Sequence, residues 1–120
     1  MALAWDNLRA SGEVRVRTRL RVASVSEMPS GSAKEVYAAG RIIALFNVDG
    51  TFYALDGVCP HQGGPLGQGT LQHRILTCPW HGWQFDVTTG RHLVNPHIVQ
   101  ERLEVLTNGD DVFLVVDQTG

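Results

Sequence analysis

Both cysteines of this chain fall in short Gly/Pro-rich stretches, and each has a histidine close behind it. The first stretch reads Cys59-Pro60-His61-Gln62-Gly63-Gly64-Pro65-Leu66, the second Cys78-Pro79-Trp80-His81-Gly82-Trp83. Each supplies one thiolate and one imidazole, spaced Cys-x-His and Cys-x2-His. A chain that spends its only thiols this way needs a scaffold that holds two loops together.

Three chemistries compete for these four side chains. A disulfide between Cys59 and Cys78 would leave the two matched histidines as coincidence, and no other cysteine suggests a disulfide framework. A structural zinc accepts a Cys2His2 set, but zinc modules usually pair Cys with Cys and His with His. Here each arm mixes the two types. A [2Fe–2S] centre of mixed ligation, two Cys on one iron and two His on the other, matches such arms best. Zinc stays open as the alternative.

The residues Cys59-Pro60-His61 and Cys78-Pro79-Trp80-His81-Gly82-Trp83-Gln84-Phe85-Asp86 resemble the Rieske family. The resemblance runs from about Val22 to Val116. It implies one [2Fe–2S] cluster as cofactor, with Cys59 and Cys78 on the inner iron and His61 and His81 on the outer iron near the surface. Exposed imidazoles would then be the exit for an electron.

Departures from the family pattern are informative too. Rieske proteins of respiratory and photosynthetic complexes carry an extra cysteine in each loop, where this chain has Gly64 and Trp80. They also carry a serine and a tyrosine whose hydroxyls reach the cluster, where this chain has Trp83 and Phe85. Donors near the sulfurs stabilise the more negative reduced state. Without them the potential is expected near the low end of the Rieske range, roughly −150 mV. The plainer reading of Trp83 and Phe85 is that they pack under the cluster, and both readings can hold together.

At 120 residues the chain reads as one domain. The expected division is an N-terminal extension over 1–13 and a cluster-carrying domain over 14–120, with a cluster-binding insertion at about 57–86. A net charge of −2 leaves no footprint of a nucleic-acid binder. No apolar run is long enough to span a membrane, and the N-terminus has no export pattern, so a reducing cytoplasm is expected.

The rest of the pattern is β. From Val14 to Val22 valine, threonine and leucine alternate with Arg15, Arg17, Arg19 and Arg21, the period of a strand with one wet face. Glu35–Ala38 is a further short strand. Apolar runs on either side of Asp49-Gly50 predict a hairpin, because both turn positions want positive φ. The same device is expected near the end, where Val99–Leu106 and Val112–Val116 flank Asn108-Gly109-Asp110-Asp111 as a second hairpin. No helix is expected, since Ser26-Glu27-Met28 meets Pro29 at once. The fold class is therefore all-β: a Rieske-like antiparallel sandwich or partial barrel with a small inserted cluster-binding subdomain. Gly63, Gly64 and Gly82 would let backbone approach the cluster. Asn95-Pro96-His97 is the candidate third loop over it, though Pro96 serves equally to separate a turn from the next strand. His73, His92 and His97 form no second metal site, and only His97 is a candidate to approach the cluster. The arginine stripe has two readings: charges that block edge-to-edge pairing, or a docking patch for an acidic partner.

A cluster with four protein ligands has no open coordination position, so it moves one electron and transforms no substrate. Oxygenase catalysis needs a second, mononuclear iron site, which this chain is too short to hold. The resemblance thus implies a Rieske-type ferredoxin, an electron-transfer component rather than an enzyme by itself. It would carry single electrons from an NAD(P)H-dependent flavin reductase to a terminal oxygenase. A Rieske small subunit of a larger oxidoreductase, such as assimilatory nitrite reductase, is the alternative, and a non-redox zinc module the second.

Overall fold

The computed structural model describes residues 15–119; the expected extension over 1–13 lies outside them. β1 (Arg15–Ser24) keeps Arg17, Arg19 and Arg21 in solvent, with Thr18 and Leu20 half-buried. The alternation breaks at its last step. Arg21 pairs with Phe113 and Ala23 with Val112, so Val22 is an extra residue in a bulge. Val22 and Ala23 then pack consecutively on the same core. A 3-10 turn, Val25–Glu27, follows and ends at Met28 before Pro29.

β2 (Ala33–Ala38), β3 (Arg41–Val48) and β4 (Thr51–Asp56) are joined by two-residue turns. Asp49 and Gly50 have φ of 51° and 92°, the I′ pattern that the sequence predicts. Ala39 and Gly40 adopt the same signs, at 53° and 75°, although alanine does not announce such a turn. After β4 the chain leaves the sheet. A second 3-10 turn, Leu66–Gln68, precedes a small antiparallel sheet of β5 (Thr70–Gln72), β6 (Ile75–Thr77) and β7 (Gln84–Asp86).

The chain rejoins the main sheet as β8 (Arg102–Asn108) and ends in β9 (Asp111–Thr119). β8 starts later than the expected Val99. Gln100 is instead buried, with its N–H donating to the carbonyl of Gly90 at 2.7 Å. The second hairpin forms as expected, and only its turn type differs. Asn108 pairs with Asp111, and of the two turn residues only Gly109 has positive φ, which is the II′ pattern rather than I′.

The main sheet has the order β1-β9-β8-β4-β3-β2. Its end strands β1 and β2 touch, so the sheet curls into a half-barrel, as the partial-barrel expectation required. β3 explains why its sequence is apolar without alternation. Ile43 and Leu45 pack on the core inside the half-barrel, with Val112 and Leu114. Ala44 and Phe46 pack on a second core, with Leu55, Leu66, Leu76, Phe85, Val87 and both cysteines. Burying one such large side chain contributes about 1.5–3 kcal/mol, so β3 ties the excursion rigidly to the barrel. Asn47, 4% exposed, is satisfied by donating to Met28 O at 2.7 Å and accepting from Gly50 N–H at 2.8 Å.

Candidate metal centre

The excursion between β4 and β8 carries three loops that meet one another. The first, after Gly57, is closed by the Cys59 N–H donating to Gly64 O and the Gly63 N–H donating to Cys59 O, both at 2.9 Å. The second caps the β6–β7 hairpin and is closed the same way, with the Cys78 N–H donating to Trp83 O at 2.7 Å. In both loops the cysteine amide therefore binds a carbonyl five residues on, and the histidine sits on the arc between.

This geometry sorts the four candidate side chains into two pairs. Cys59 and Cys78 are each 2% exposed, unpaired by any disulfide, and close enough for their thiols to hydrogen-bond. Burial pushes the Cys78 thiol up; the neighbouring Cys59 adds to that, and the Trp80 N–H opposes it. His61 and His81 are exposed, with ring centroids 5.5 Å apart. His81 takes φ of 68°, uncommon for a residue with a Cβ, and Gly82 follows at 75°. Among the described residues no three His, Cys, Asp or Glu side chains converge as ligands of a single ion would. Thiols lie inside and imidazoles outside.

Trp83 does not merely pack beneath the site. Its indole lies flat on His61, centroids 4.3 Å apart and planes within 3°. Phe85, fully buried, shares the core that holds both cysteines. At Gly64 the two loops lie close together: a Cβ there would stand 2.7 Å from Cys78 Sγ and 3.0 Å from Trp80 Cβ, whereas one at Gly82 would meet nothing within 4 Å.

The third loop, 92–99, lies against the second. Leu93 N–H donates to Gln84 O at 3.0 Å, and His92 forms an isolated bridge with Phe85. Between the two loops is an apolar cavity of about 400 Å³, lined by Trp83, His92, Leu93, Val94 and Ile98. The histidine brought against the tryptophan is His92, not His97, which is exposed. His73 is exposed at the β5–β6 turn. Sequence reasoning missed Gln100 altogether. Its Nε2 donates to Asp56 O at 2.9 Å and Val58 O at 2.5 Å, clamping the base of the first loop. No local pattern marks it, because its partners lie more than forty residues away.

Charge is absent from all three loops. Residues 57–66, 75–85 and 92–100 contain no Asp, Glu, Lys or Arg. Five of the large apolar side chains exposed on the molecule are here: Val58, Trp80, Leu93, Val94 and Val99. The arginines of β1 lie outside these loops, and two of them are ion-paired. Arg17 pairs with Glu104 and Asp117, and Arg21 pairs with Asp111.

Known proteins agree with this architecture. The Rieske [2Fe-2S] domain family matches residues 18–118. The chain belongs to the Rieske [2Fe-2S] family. A ferredoxin component of the naphthalene 1,2-dioxygenase/salicylate 5-hydroxylase systems of Ralstonia sp. is 38% identical over 74 residues, covering 62% of this chain and 71% of that one. A chain from the complex of reduced oxygenase and oxidized ferredoxin in carbazole 1,9a-dioxygenase superposes with a TM-score of 0.73 at 32% identity, covering 80% of this chain and 91% of that one. The Sphingomonas yanoikuyae B1 ferredoxin gives 0.72 at 29% identity, with 84% and 99% covered. The cofactor of this Rieske domain is one [2Fe–2S] cluster, and its role is electron transfer. The residues fit that group: two adjoining buried thiols, two neighbouring exposed imidazoles, and a glycine where a Cβ would crowd a thiol.

Proposed function

We propose that Cys59, His61, Cys78 and His81 hold the cluster, the two thiolates on the inner iron and the two imidazoles on the outer. The observation that carries this is the sorting itself: buried sulfurs side by side, exposed rings 5.5 Å apart. When bound, the cluster takes up and releases one electron. The chain's own contribution is to keep water from the thiolates, with Phe85, Leu66 and Leu76 packed around them, and to bring the imidazoles to the surface.

The protein then works as a low-potential Rieske-type ferredoxin. It receives electrons from an NAD(P)H-dependent flavin reductase and delivers them to a terminal oxygenase, each docking in turn on the three charge-free loops. A reducing cytoplasm suits two unpaired, buried thiols. The domain spans 14–120, with 1–13 as an extension. Among the described residues no helix is long and apolar enough to cross a membrane.

The test is iron and sulfide analysis with electron paramagnetic resonance of the reduced protein. Two irons and two sulfides per chain are expected, with nitrogen couplings from two imidazoles. His61→Cys or His81→Cys should lose the cluster or drive its potential far down, because thiolate adds negative charge where a neutral ring sat. Colourless protein binding one zinc would overturn the reading.

A further inference from the structure

His92 lies outside the proposed ligand set, yet it is packed against Trp83 and Phe85 of the second loop. Nδ1 accepts two backbone N–H groups, from Val94 at 3.1 Å and Asn95 at 3.0 Å. A ring nitrogen that accepts carries no proton, so in the neutral imidazole the proton is on Nε2. That Nε2 is buried and has no nitrogen or oxygen partner. A buried donor left without an acceptor costs free energy. Its neighbours are aromatic rings: the imidazole stands at 79° to Trp83, centroids 4.6 Å apart, and at 89° to Phe85, 5.4 Å apart. Perpendicular contact suits the negative face of an aromatic ring and a ring-edge or N–H donor.

Two connected constraints follow. The turn 92–95 holds the imidazole through Nδ1, and the imidazole abuts the indole that lies flat on His61. The base of this loop is itself fixed. Gly90 has φ of 82°, and a Cβ there would meet Gln100 O at 2.3 Å. Phe85 cannot shift to release His92, because it is fully buried in the core that contains both cysteines.

We propose that His92 is a positioning residue for electron exit: anchored by its Nδ1, it braces Trp83 against His61, fixing the plane of that imidazole and covering one of its faces. The proposal rests on His61 being an iron ligand. Its purpose is to orient an exposed ligand ring, and to limit water beside it, without a hydrogen bond to the ring.

His92→Asn separates this role from a merely structural one. The Asn Oδ1 occupies the branch position of Nδ1 and still accepts from Val94 and Asn95, so the turn survives while the brace on Trp83 is lost. With one face of His61 open to water, the more negative reduced state gains solvation. The ratio of reduced to oxidised protein at the wild-type midpoint should rise at least threefold, about 30 mV at 59 mV per decade. The nitrogen couplings of one imidazole should change with it. An unchanged ratio and spectrum in His92→Asn would overturn the proposal. The same shift appearing when His92→Asn is added to Trp83→Leu would also overturn it, since no indole remains to act through. One measurement needs no variant. In wild-type holoprotein the amides of Val94 and Asn95 should exchange at least tenfold slower than unstructured amides, although Val94 is 85% exposed; unprotected amides there overturn the anchor. A wild-type spectrum lacking two nitrogen couplings would instead fail the ligand assignment, a different result from any of these.

Discussion

Gly64 and Phe85 shape the site proposed for the cluster. At Gly64 the absence of a side chain is what lets the first loop lie on the second, since a Cβ would stand 2.7 Å from Cys78 Sγ. Gly64→Ala should overpack this contact and destabilise the holoprotein by about 1–3 kcal/mol. The check is a urea midpoint together with the rate at which a chelator bleaches the cluster, which should increase. Phe85 shares the core of both cysteines and has no hydroxyl to donate. Phe85→Tyr adds a donor and removes nothing. A hydrogen bond to sulfur favours the reduced state, so the midpoint potential should rise by tens of millivolts, against ~59 mV for a full decade of a one-electron equilibrium. Direct electrochemistry of the two proteins decides it.

The loops depend on elements that hold their bases. Gln100 joins the third loop to the first through two carbonyls, those of Asp56 and Val58. Gln100→Ala removes two part-buried hydrogen bonds and should cost about 1–3 kcal/mol, at about 0.5–1.5 kcal/mol each, read as a lowered thermal midpoint. Asp86 does the same work at the end of β7. Burial pushes its carboxyl up, but hydrogen bonds from the Thr88 hydroxyl and N–H and from Arg74 outweigh burial and hold it below the ordinary carboxylate range. A depressed folded value means that this stabilisation is complete above the ordinary range. It is lost as pH falls through the folded value. Acid titration of the wild-type protein and Asp86→Asn should therefore show a stability gap that is present at neutral pH and closes in acid.

Over the whole molecule, formal charge is kept out of the three loops at the proposed cluster site. Arg17 and Arg21, both ion-paired, lie on an end strand of the half-barrel, while these three loops carry no formal charge. A partner that docks on those loops gains little from long-range attraction, which salt would screen. Electron-transfer rates should accordingly stay nearly flat between low and physiological ionic strength. Arg19→Glu, at a side chain with no ion-pair partner among the described residues, should leave them unchanged. Stopped-flow reduction across a salt series measures this. A steep fall with salt, abolished by the charge reversal, would restore the docking-patch reading of the stripe.

What the sequence determined by itself is what depends on neighbours along the chain. The Cys-x-His and Cys-x2-His spacings, the Asp49-Gly50 turn and the wet face of β1 are all short-range, because thiol and imidazole spacing, positive φ and strand period are set within a few residues. Tertiary structure decided the rest. The bulge at Val22 appears only when β1 meets β9, and the three-residue strands β5–β7 are too short for any periodicity to show. Gln100 looks like one polar residue among many until folding brings the carbonyls of Asp56 and Val58 to it. His92 looks like a lone histidine until the third loop lays it on Trp83. Such contacts cross forty residues or more or join separate loops. No local pattern encodes them; they exist because β3, buried on both faces, fixes the excursion to the barrel.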